Sequence, residues 1–588
     1  MTPSYTNNPI SKIQKRKQTM KKIFLILSLV AMGLSSCTIE EHFRTDTMTS
    51  AQLKEDPSAA VYTTDGVYSL FKDELQYKNT YASGNTYVRH FFQMAEYRAD
   101  NVVLSGITSD PFSYAFTYDD NSTMNNNQGF WWLAYKIIYS ANSNIEALDE
   151  NASDEASHMK GENYFFRALA HFNLVNIFAK PLSCGKDNPG VVLRLSTDCS
   201  VTERATVGQV YEQVVADLQE AARLMKGKSA RGDKGYVSYE AAMGLLSRVY
   251  LYLEEYDKVI ETVNTMLTGS PSDYGKIASK LDSNYSTLFT NARTSGEVIW
   301  CVAHTATEDK GTGSLGSMYY SPTGTGGVGW CEHYYSDTLL ELFERYPEDK
   351  RQIAQYELYD TTNDGLVMVH WPLDEGGAFR NNAVVRGVTQ NADGTCNFTY
   401  SGKSYVATPE VINGYTEYFI TYEGAKTKVY VRPNVGLKGL RNNYPIYMQK
   451  KYSNQDGLSN LSSPIILRWG EIVLNRAEAR LKAGDEAGAL ADVNVIRTRA
   501  GIPVWNDTDH RWQDHGYANL LEVVLAERRL ELCFEGHRAF DTWRNKMSMD
   551  RRFAGLHTWE VVEYTDNRIP YQIPQDELNV NDIGQNPR

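Results

Sequence analysis

The sequence predicts a mainly α-helical fold that carries one irregular insertion of loops and β-hairpins. Three patterns in the 588 residues support this prediction. Apolar residues recur at helical spacing through most of the first half, which is typical of amphipathic helices. Two segments that lie far apart in the chain each contain a pair of such helices. Between about residues 270 and 460, loops rich in Gly, Ser, Thr and Tyr and strand-like alternation replace the helical pattern.

Single helices are predicted in the first half of the chain. Thr206 has the side-chain oxygen that favours the N-cap position, and the apolar residues after it share one helix face. These apolar residues are Val207, Val210, Val214 and Leu218. The other predicted helices are 59–75, 130–148 and 162–178.

Two helix pairs are predicted, over residues 239–267 and 465–499. The first pair breaks near Glu254 and Glu255, and the second turns at Gly484. The first segment resembles a tetratricopeptide unit, in which apolar residues of two helices interlock. The residues at its interlocking positions are Ala242, Leu246, Tyr250, Tyr256 and Val259. Because such units are scattered along the chain, a helical scaffold with long insertions is favoured over a regular solenoid.

The insertion is predicted to contain strands and a functional loop. The run 297–303 indicates a strand, and the runs 396–406 and 415–431 indicate hairpins. Residues 311–329 are rich in Gly, Ser, Thr and Tyr and are called the glycine-rich loop below. Long irregular segments in a compact protein are usually functional, so we expect ligand contacts in this region.

The charge of the chain argues against nucleic acid as a partner. It has 59 basic and 72 acidic residues and a formal net charge of −13. The first 36 residues hold six basic residues and no acidic one, which leaves 53 basic against 72 acidic residues in the remainder. A body this acidic repels phosphates. The mean hydropathy of −0.45 argues against an integral membrane protein.

Residues 1–36 are predicted to be an upstream extension plus a lipoprotein signal peptide, with Met20 as the true start. Two lysines precede an apolar run, 23–34, that is too short to span a bilayer. The following Leu-Ser-Ser-Cys sequence resembles the bacterial lipobox, so we expect Cys37 to be lipidated. Residues 37–57 are then a lipid-anchored tether, because acyl chains hold a domain on a membrane without a spanning helix.

The other six cysteines do not show the spacing of a zinc or haem site, since no CxxC motif occurs. We therefore expect no metal and no other cofactor. Cys184 and Cys199 are candidates for a disulfide in an oxidising compartment, and free thiols are the alternative.

Catalytic and nucleotide-binding motifs are absent or occur in the wrong context. GxGxxG occurs at 311–316 and 324–329, but no helical pattern follows to direct backbone amides at a pyrophosphate. Neither HExxH nor GxSxG occurs. Glycoside hydrolysis leaves no short sequence signature, so a surface glycoside hydrolase stays open as an alternative.

Aromatic residues form 12% of the chain and cluster in two loop regions. Sugars bind with their C–H faces on aromatic rings, so we predict that these regions contact a ligand. The alternative is that the rings pack inside, for example if Tyr334 and Tyr335 begin a helix that runs to Arg345. The ligand-binding candidates are Tyr81, Asn85, Tyr87 and Arg89 in the earlier region and Tyr319, Tyr320, Trp330 and Trp371 in the later one.

Charged and aromatic motifs recur in the closing third of the chain. They are LRWGEI (467–472), NRAEA (475–479), NVIRTRAG (494–501), ERRLELCFEGHR (527–538) and FDTWR (540–544). In combination these motifs resemble the SusD/RagB family, and 141–145, 167–172 and 204–207 fit the first half of that family. The many charges between Glu527 and Arg538 are too numerous for a solvated stripe, so we expect several to form partly buried ion pairs.

The resemblance implies a SusD-like helical fold with an N-terminal part, 58–270, and a C-terminal part that contains the ligand-loop insertion, 271–588. It further implies a non-catalytic lipoprotein of the outer membrane that faces the cell exterior. Such a protein binds a glycan and delivers it to a SusC-like TonB-dependent transporter. A peptide-binding lipoprotein and a purely scaffolding one are the remaining alternatives.

Overall fold

Helices pack side by side along the chain, and one β-rich insertion interrupts them. The computed structural model describes residues 60–74, 86–106, 108, 110, 112–267, 272–324, 328–373 and 379–588. These residues belong to one compact unit, residues 56–588. The predicted signal and tether with Cys37, and the candidates Tyr81 and Asn85, lie outside the described residues.

The predicted mainly helical fold with helix pairs and a strand-containing insertion is confirmed. In the first part of the described chain the helices are α1 Ala60–Lys72, α2 Tyr87–Glu96, α3 Asn125–Ala147, α4 Asp154–Phe178, α5 Val207–Met225, α6 Tyr239–Tyr252, α7 Tyr256–Leu267, α8 Tyr274–Ala278 and α9 Tyr285–Thr290. Further along they are α10 Asp337–Glu344, α11 Lys350–Gln355, α12 Trp469–Lys482, α13 Glu486–Ala500, α14 Leu520–Leu532, α15 Arg538–Arg544 and α16 Gln575–Val580.

The start of α5 confirms the N-cap predicted from the sequence. The Thr206 hydroxyl accepts a hydrogen bond from the Gln209 backbone N–H, and the Gln209 side chain accepts one from the Thr206 N–H. This reciprocal pair satisfies two N–H groups that a helix end otherwise leaves without partners. The four apolar residues predicted to share one face of α5 are fully buried.

The two helix pairs are distant in sequence but adjacent in space. The chain breaks between α6 and α7 at Glu254, which has a φ of +59°, and between α12 and α13 at Gly484, with a φ of +90°. Helix α12 packs against both α6 and α7. At this crossing a Cβ atom added at Gly244 would lie 3.4 Å from the Ile472 Cδ1 atom, an ordinary van der Waals contact. The scattered units therefore form one helical body.

Short strands join parts of the body, and longer ones form the insertion. The strands of the described residues are β1 Val102–Leu104, β2 Val298–Cys301, β3 His333–Tyr335, β4 Tyr356–Leu358, β5 Val367–Pro372, β6 Asn382–Val388, β7 Cys396–Tyr400, β8 Lys403–Ile412, β9 Tyr415–Tyr422, β10 Ala425–Pro433, β11 Leu440–Arg441, β12 Tyr444–Pro445, β13 Tyr447–Gln449, β14 Ile465–Arg468, β15 Met549–Asp550 and β16 Val561–Val562. The predicted strand near 297–303 and both hairpins are confirmed as β2, β7–β8 and β9–β10.

The insertion is an antiparallel sheet of six strands in the order β6-β5-β10-β9-β8-β7. The sheet curls, so that its two edge strands approach each other and Gln390 bridges to Cys396. One face encloses a separate small hydrophobic core around Trp371. The other face is tied to the helical body by charges, for example by Arg432, whose Nε donates to Glu344 Oε1 at 2.6 Å.

A buried cluster of charges joins β14 to α13 and α14. The Arg468 guanidinium donates to Glu297 at 2.8 Å, to Glu531 at 2.6 Å and to Glu535 at 2.8 Å, and all four side chains are buried. Lys451 donates to Glu535 at 2.7 Å. Burial alone would raise the pKa of Glu535, but Arg468 and Lys451 lower it to about 2. The expectation that the charges of the closing motifs form buried ion pairs is confirmed.

The structure decides between two pairs of alternatives. Tyr334 and Tyr335 lie in β3, which pairs with β1, and the following helix α10 begins after the N-cap residue Ser336. Both tyrosines are nevertheless buried, as the alternative to ligand contact proposed. Cys184 and Cys199 are free thiols, so the disulfide alternative is not realised.

Candidate functional site

Two glycines of the glycine-rich loop, Gly316 and Gly329, lie where backbone segments pack closely. The loop contains two short 3-10 turns, Gly311–Gly313 and Gly316–Met318. A Cβ atom at Gly316 would collide with the Tyr452 carbonyl oxygen, and one at Gly329 would collide with the Tyr320 carbonyl oxygen. These glycines therefore bring chain segments together. In the described part of the loop, no α-helix follows the turns to direct its amides at a pyrophosphate.

Trp330, directly after the glycine-rich loop, is the one aromatic candidate among the described residues whose ring is well exposed. Its side chain is 46% exposed, and its Nε1–H donates to the Thr312 carbonyl oxygen at 3.1 Å. Asn460 donates from its side chain to the carbonyl oxygen of Val328, which is also exposed. The indole is thus held at one edge while part of its surface faces solvent, as ring stacking requires.

Tyr319 and Tyr320 offer a ligand almost no accessible surface. Tyr319 is buried against Phe534, at 5.4 Å between ring centroids, and near His333. Tyr320 lies in a small apolar cluster with Tyr334. Both side chains support the loop from inside, which corrects the expectation that they contact a ligand directly.

Tyr87 and Arg89 are also buried, at the start of α2. The Tyr87 hydroxyl accepts a hydrogen bond from Asn173 at 2.9 Å. Arg89 donates to the carbonyl oxygen of Gly313 at 2.7 Å. The structure therefore brings Arg89 together with the glycine-rich loop, 224 residues further along the chain, as a support and not as an exposed ligand contact.

Trp371 is separated from the other candidates, because it lies inside the curled sheet. Its side chain is 0% exposed, and the rings of Tyr400 and Tyr422 pack on it at 4.9 and 5.6 Å between centroids. The Nε1–H of this residue has no hydrogen-bond partner. The expectation that Trp371 contacts a ligand is therefore corrected: strand alternation turns it into the insertion core.

The titratable groups His333 and Cys331, which lie behind the loop, do not change protonation state near pH 7. Burial lowers the pKa of His333, and burial raises the pKa of the Cys331 thiol to about 12. His333 is therefore neutral and Cys331 protonated near pH 7, and both are inaccessible. Within the described residues no group of three or more His, Cys, Asp or Glu side chains is placed to hold a metal ion.

Sequence reasoning missed the polar residues that complete the site. Beneath the loop is a cavity of about 30 Å³, and its lining includes Lys72, Glu308, Gly313 and Asn460. These residues come from distant parts of the chain, so no local pattern connects them.

In the part of the chain that the structure describes, no helix has the length and apolar character needed to cross a membrane.

Fold and site together define a class of protein: a helical scaffold of tetratricopeptide-like pairs that presents an aromatic loop beside a β-rich insertion. Two family models match the chain, one described as the SusD family over residues 296–587 and one as "Starch-binding associating with outer membrane" over residues 66–251. The chain belongs to the SusD/RagB family.

Individual relatives are distant in sequence but similar in fold. SusD-like protein P2 of Formosa agariphila is 22% identical over 73% of this chain and 74% of its own length. A SusD superfamily protein of Bacteroides thetaiotaomicron is 23% identical, with a TM-score of 0.63, and the match covers 92% of this chain and all of that one. A laminarin-binding SusD-like protein is 21% identical, with a TM-score of 0.57, and the match covers 90% of this chain and 99% of that one.

Proposed function

We propose that this protein captures a glycan at the bacterial cell surface without chemically altering it. The observation that carries the proposal is the exposed Trp330 indole, which is held by its own hydrogen bond on a loop packed from behind by buried tyrosines. A ring positioned in this way binds a sugar face at little cost in side-chain entropy, because the indole is already ordered. The description of one matching family model as starch-binding supports the proposal.

We further propose that the captured glycan passes to a SusC-like TonB-dependent transporter. In this proposal Cys37 carries the lipid that anchors the protein to the outer membrane, facing the exterior. The matching model described as associating with the outer membrane supports this location. The lipobox-like sequence before Cys37 supports the anchor.

The carboxylate beside the loop is poorly suited to glycoside hydrolysis. Glu308 lines the same small cavity as Gly313. Burial raises the pKa of Glu308, but hydrogen bonds from Lys72 and Thr305 lower it by more. The pKa of Glu308 therefore lies below its ordinary value. A general acid of a glycosidase needs a raised pKa. Glu308 is therefore ionised and unsuited to the role of general acid, the role that this chemistry cannot do without.

Isothermal titration of protein beginning after Cys37, against starch- and laminarin-derived oligosaccharides and peptides, tests the capture role. We expect glycan binding without released product, and Trp330→Ala should weaken it about tenfold or more. Trp132→Ala is the matched control, because Trp132 is an exposed tryptophan on α3 that lies elsewhere. Product formation would contradict the non-catalytic role. Binding of peptides but of no oligosaccharide would contradict a glycan as the ligand. Equal losses of affinity in both variants would contradict the placement of the binding site at Trp330.

A further inference from the structure

A larger cleft adjoins the small cavity below the glycine-rich loop. The two share the lining residues Lys72 and Glu308. The volume of the larger cleft is about 350 Å³, within the range of small-molecule sites, about 300–1,000 Å³. It lies between α1, residues 233–236 and residues 300–308. We call it the Tyr236 cleft.

The inner wall of the Tyr236 cleft is aromatic. Tyr68 and Tyr236 meet edge to face, with ring centroids 5.3 Å apart. Below them the Trp300 ring packs against Phe71 at 5.8 Å, and both are buried. Trp300 Nε1–H donates to the Gly235 carbonyl oxygen at 3.1 Å, so this floor has no unused indole donor. The Arg231 guanidinium lies over the Tyr236 ring at 4.8 Å, so one face of this ring is covered and a ligand meets only the remaining ring surface.

The rim of the Tyr236 cleft is charged, and each of its charges has a partner of opposite sign. Asp65 of α1 pairs at 2.9 Å with the arginine that covers the Tyr236 ring. Lys72 pairs with Glu308 at 2.5 Å, and Arg293 pairs with Asp233 at 2.6 Å. Both pairs are partly exposed, so their remaining donors and acceptors can reach hydroxyl groups. A charged ligand would have to compete with an existing ion pair, whereas an uncharged one would not. The rim therefore favours a neutral ligand rich in hydroxyl groups.

Shared lining residues place the Tyr236 cleft next to the small cavity under the loop that precedes Trp330. Lys72 and Glu308 line both the Tyr236 cleft and the small cavity. Gly313 and Asn460 also line the small cavity. Gly313 follows Thr312, whose carbonyl oxygen accepts the hydrogen bond from the Trp330 indole. The Asn460 side chain donates a hydrogen bond to the Val328 carbonyl oxygen. An oligosaccharide that reached from the Trp330 indole to the Tyr236 cleft would therefore cross these residues.

From this arrangement we propose that the Tyr236 cleft is a second sugar-binding site, which takes the end of an uncharged oligosaccharide whose other residues lie on Trp330. The proposal rests on the proposed glycan capture. An aromatic wall fits the apolar face of a sugar ring, and the paired rim charges hydrogen-bond its hydroxyls. The surface consequently recognises chain length, because only a longer oligosaccharide reaches both places.

Titration with starch- and laminarin-derived oligosaccharides, from the disaccharide to the heptasaccharide, tests the second site. Thr307 is an exposed residue of the cleft lining, so Thr307→Trp should fill the entrance without disturbing the core. We expect this variant to bind the longest oligosaccharides about tenfold more weakly and to lose the rise of affinity with length. Thr265→Trp, at an exposed position of α7 outside the cleft, is the matched control.

The outcomes separate the two proposals. Unchanged affinities of Thr307→Trp at every length, with Trp330→Ala still weakened, would overturn the second site and leave glycan capture intact. Equal losses in Thr307→Trp and Thr265→Trp would also overturn it. No binding of any oligosaccharide by the unaltered protein would overturn both. Circular dichroism spectra of all variants check that each one is folded.

Discussion

The charged junction around Arg468 and the apolar core around Trp371 are both buried, but they are stabilised in opposite ways. In the junction, each of the three carboxylates that pair with Arg468 also pairs with a second cation, either Arg499 or Lys451. Burial of these charges is tolerated because positive and negative groups match. In the insertion, a small set of apolar and aromatic side chains fills the curled sheet. The junction therefore depends on charge balance, and the insertion depends on volume.

This difference explains why the closing motifs contain so many charges without forming a ligand site. Their Arg and Glu side chains join β14 to α13 and α14, and they link residues such as Glu297 and Glu531 that are far apart in sequence. The candidate ligand surface instead uses Trp330, Lys72 and Glu308, none of which belongs to those motifs.

The largest effect is expected from Arg468→Met, which breaks the charge balance of the junction. Three buried carboxylates would lose their shared cation, and the free energy of unfolding should fall by about 3–5 kcal/mol. Chemical denaturation measures this loss. Arg552→Met removes the arginine of an exposed pair with Asp550 and should leave stability unchanged. Equal stability of the two variants would show that the junction does not depend on its charges.

An effect of intermediate size is expected in the pH dependence of stability, which tests the charged junction but not the apolar core. The pKa of Glu535 falls from its ordinary 4.5 to about 2 on folding. The unfolded chain then binds more protons between these values, so the contribution of Glu535 is present above about pH 4.5 and is lost as pH falls towards 2. The shift corresponds to about 3 kcal/mol.

Denaturation curves at successive pH values measure this contribution. We expect Glu535→Gln to be less stable than the unaltered protein at pH 7 and to lose less stability on acidification. A profile with the same slope in both proteins would contradict a role for Glu535 in the acid response. Between pH 4.5 and 2, hydrogen exchange should speed up in α14 before it does in the sheet core, because no described Asp or Glu of the sheet is buried.

The smallest effect is expected from Trp371→Phe in the insertion. The smaller ring leaves a cavity, but it also removes a buried N–H that has no partner, so the net loss should be about 1–2 kcal/mol. Hydrogen exchange should show faster opening of β5 and β10 with little change in α12. Faster exchange throughout the helical body would contradict the separation of the two cores.

Local patterns were sufficient for much of the helical body. Thr206 was recognisable as an N-cap because its partner lies three residues away, and the break at Gly484 was recognisable because a left-handed turn favours glycine. The hairpins 396–406 and 415–431 were recognisable from short-range alternation. Strands β5 and β6 were missed, since their pairing joins segments whose alternation is weak.

The site was less predictable, because exposure is not a local property. Trp330 and Trp371 both lie in the irregular region between residues 270 and 460, yet one is 46% exposed and the other is 0% exposed. Arg89 could not be recognised as the support of a loop that begins more than two hundred residues later. Likewise, no pattern connects Tyr68 with Tyr236, whose rings pack edge to face in the wall of the Tyr236 cleft.

By itself the sequence determined the helices, the helix pairs, the hairpins and the family, because these depend on periodicity, capping and motifs over a few tens of residues. Only the tertiary structure decided which aromatic rings face solvent, which charges neutralise each other and where a cleft opens. The physical reason is that burial and pairing depend on contacts between distant segments, and these contacts exist only after the helices and the sheet have packed.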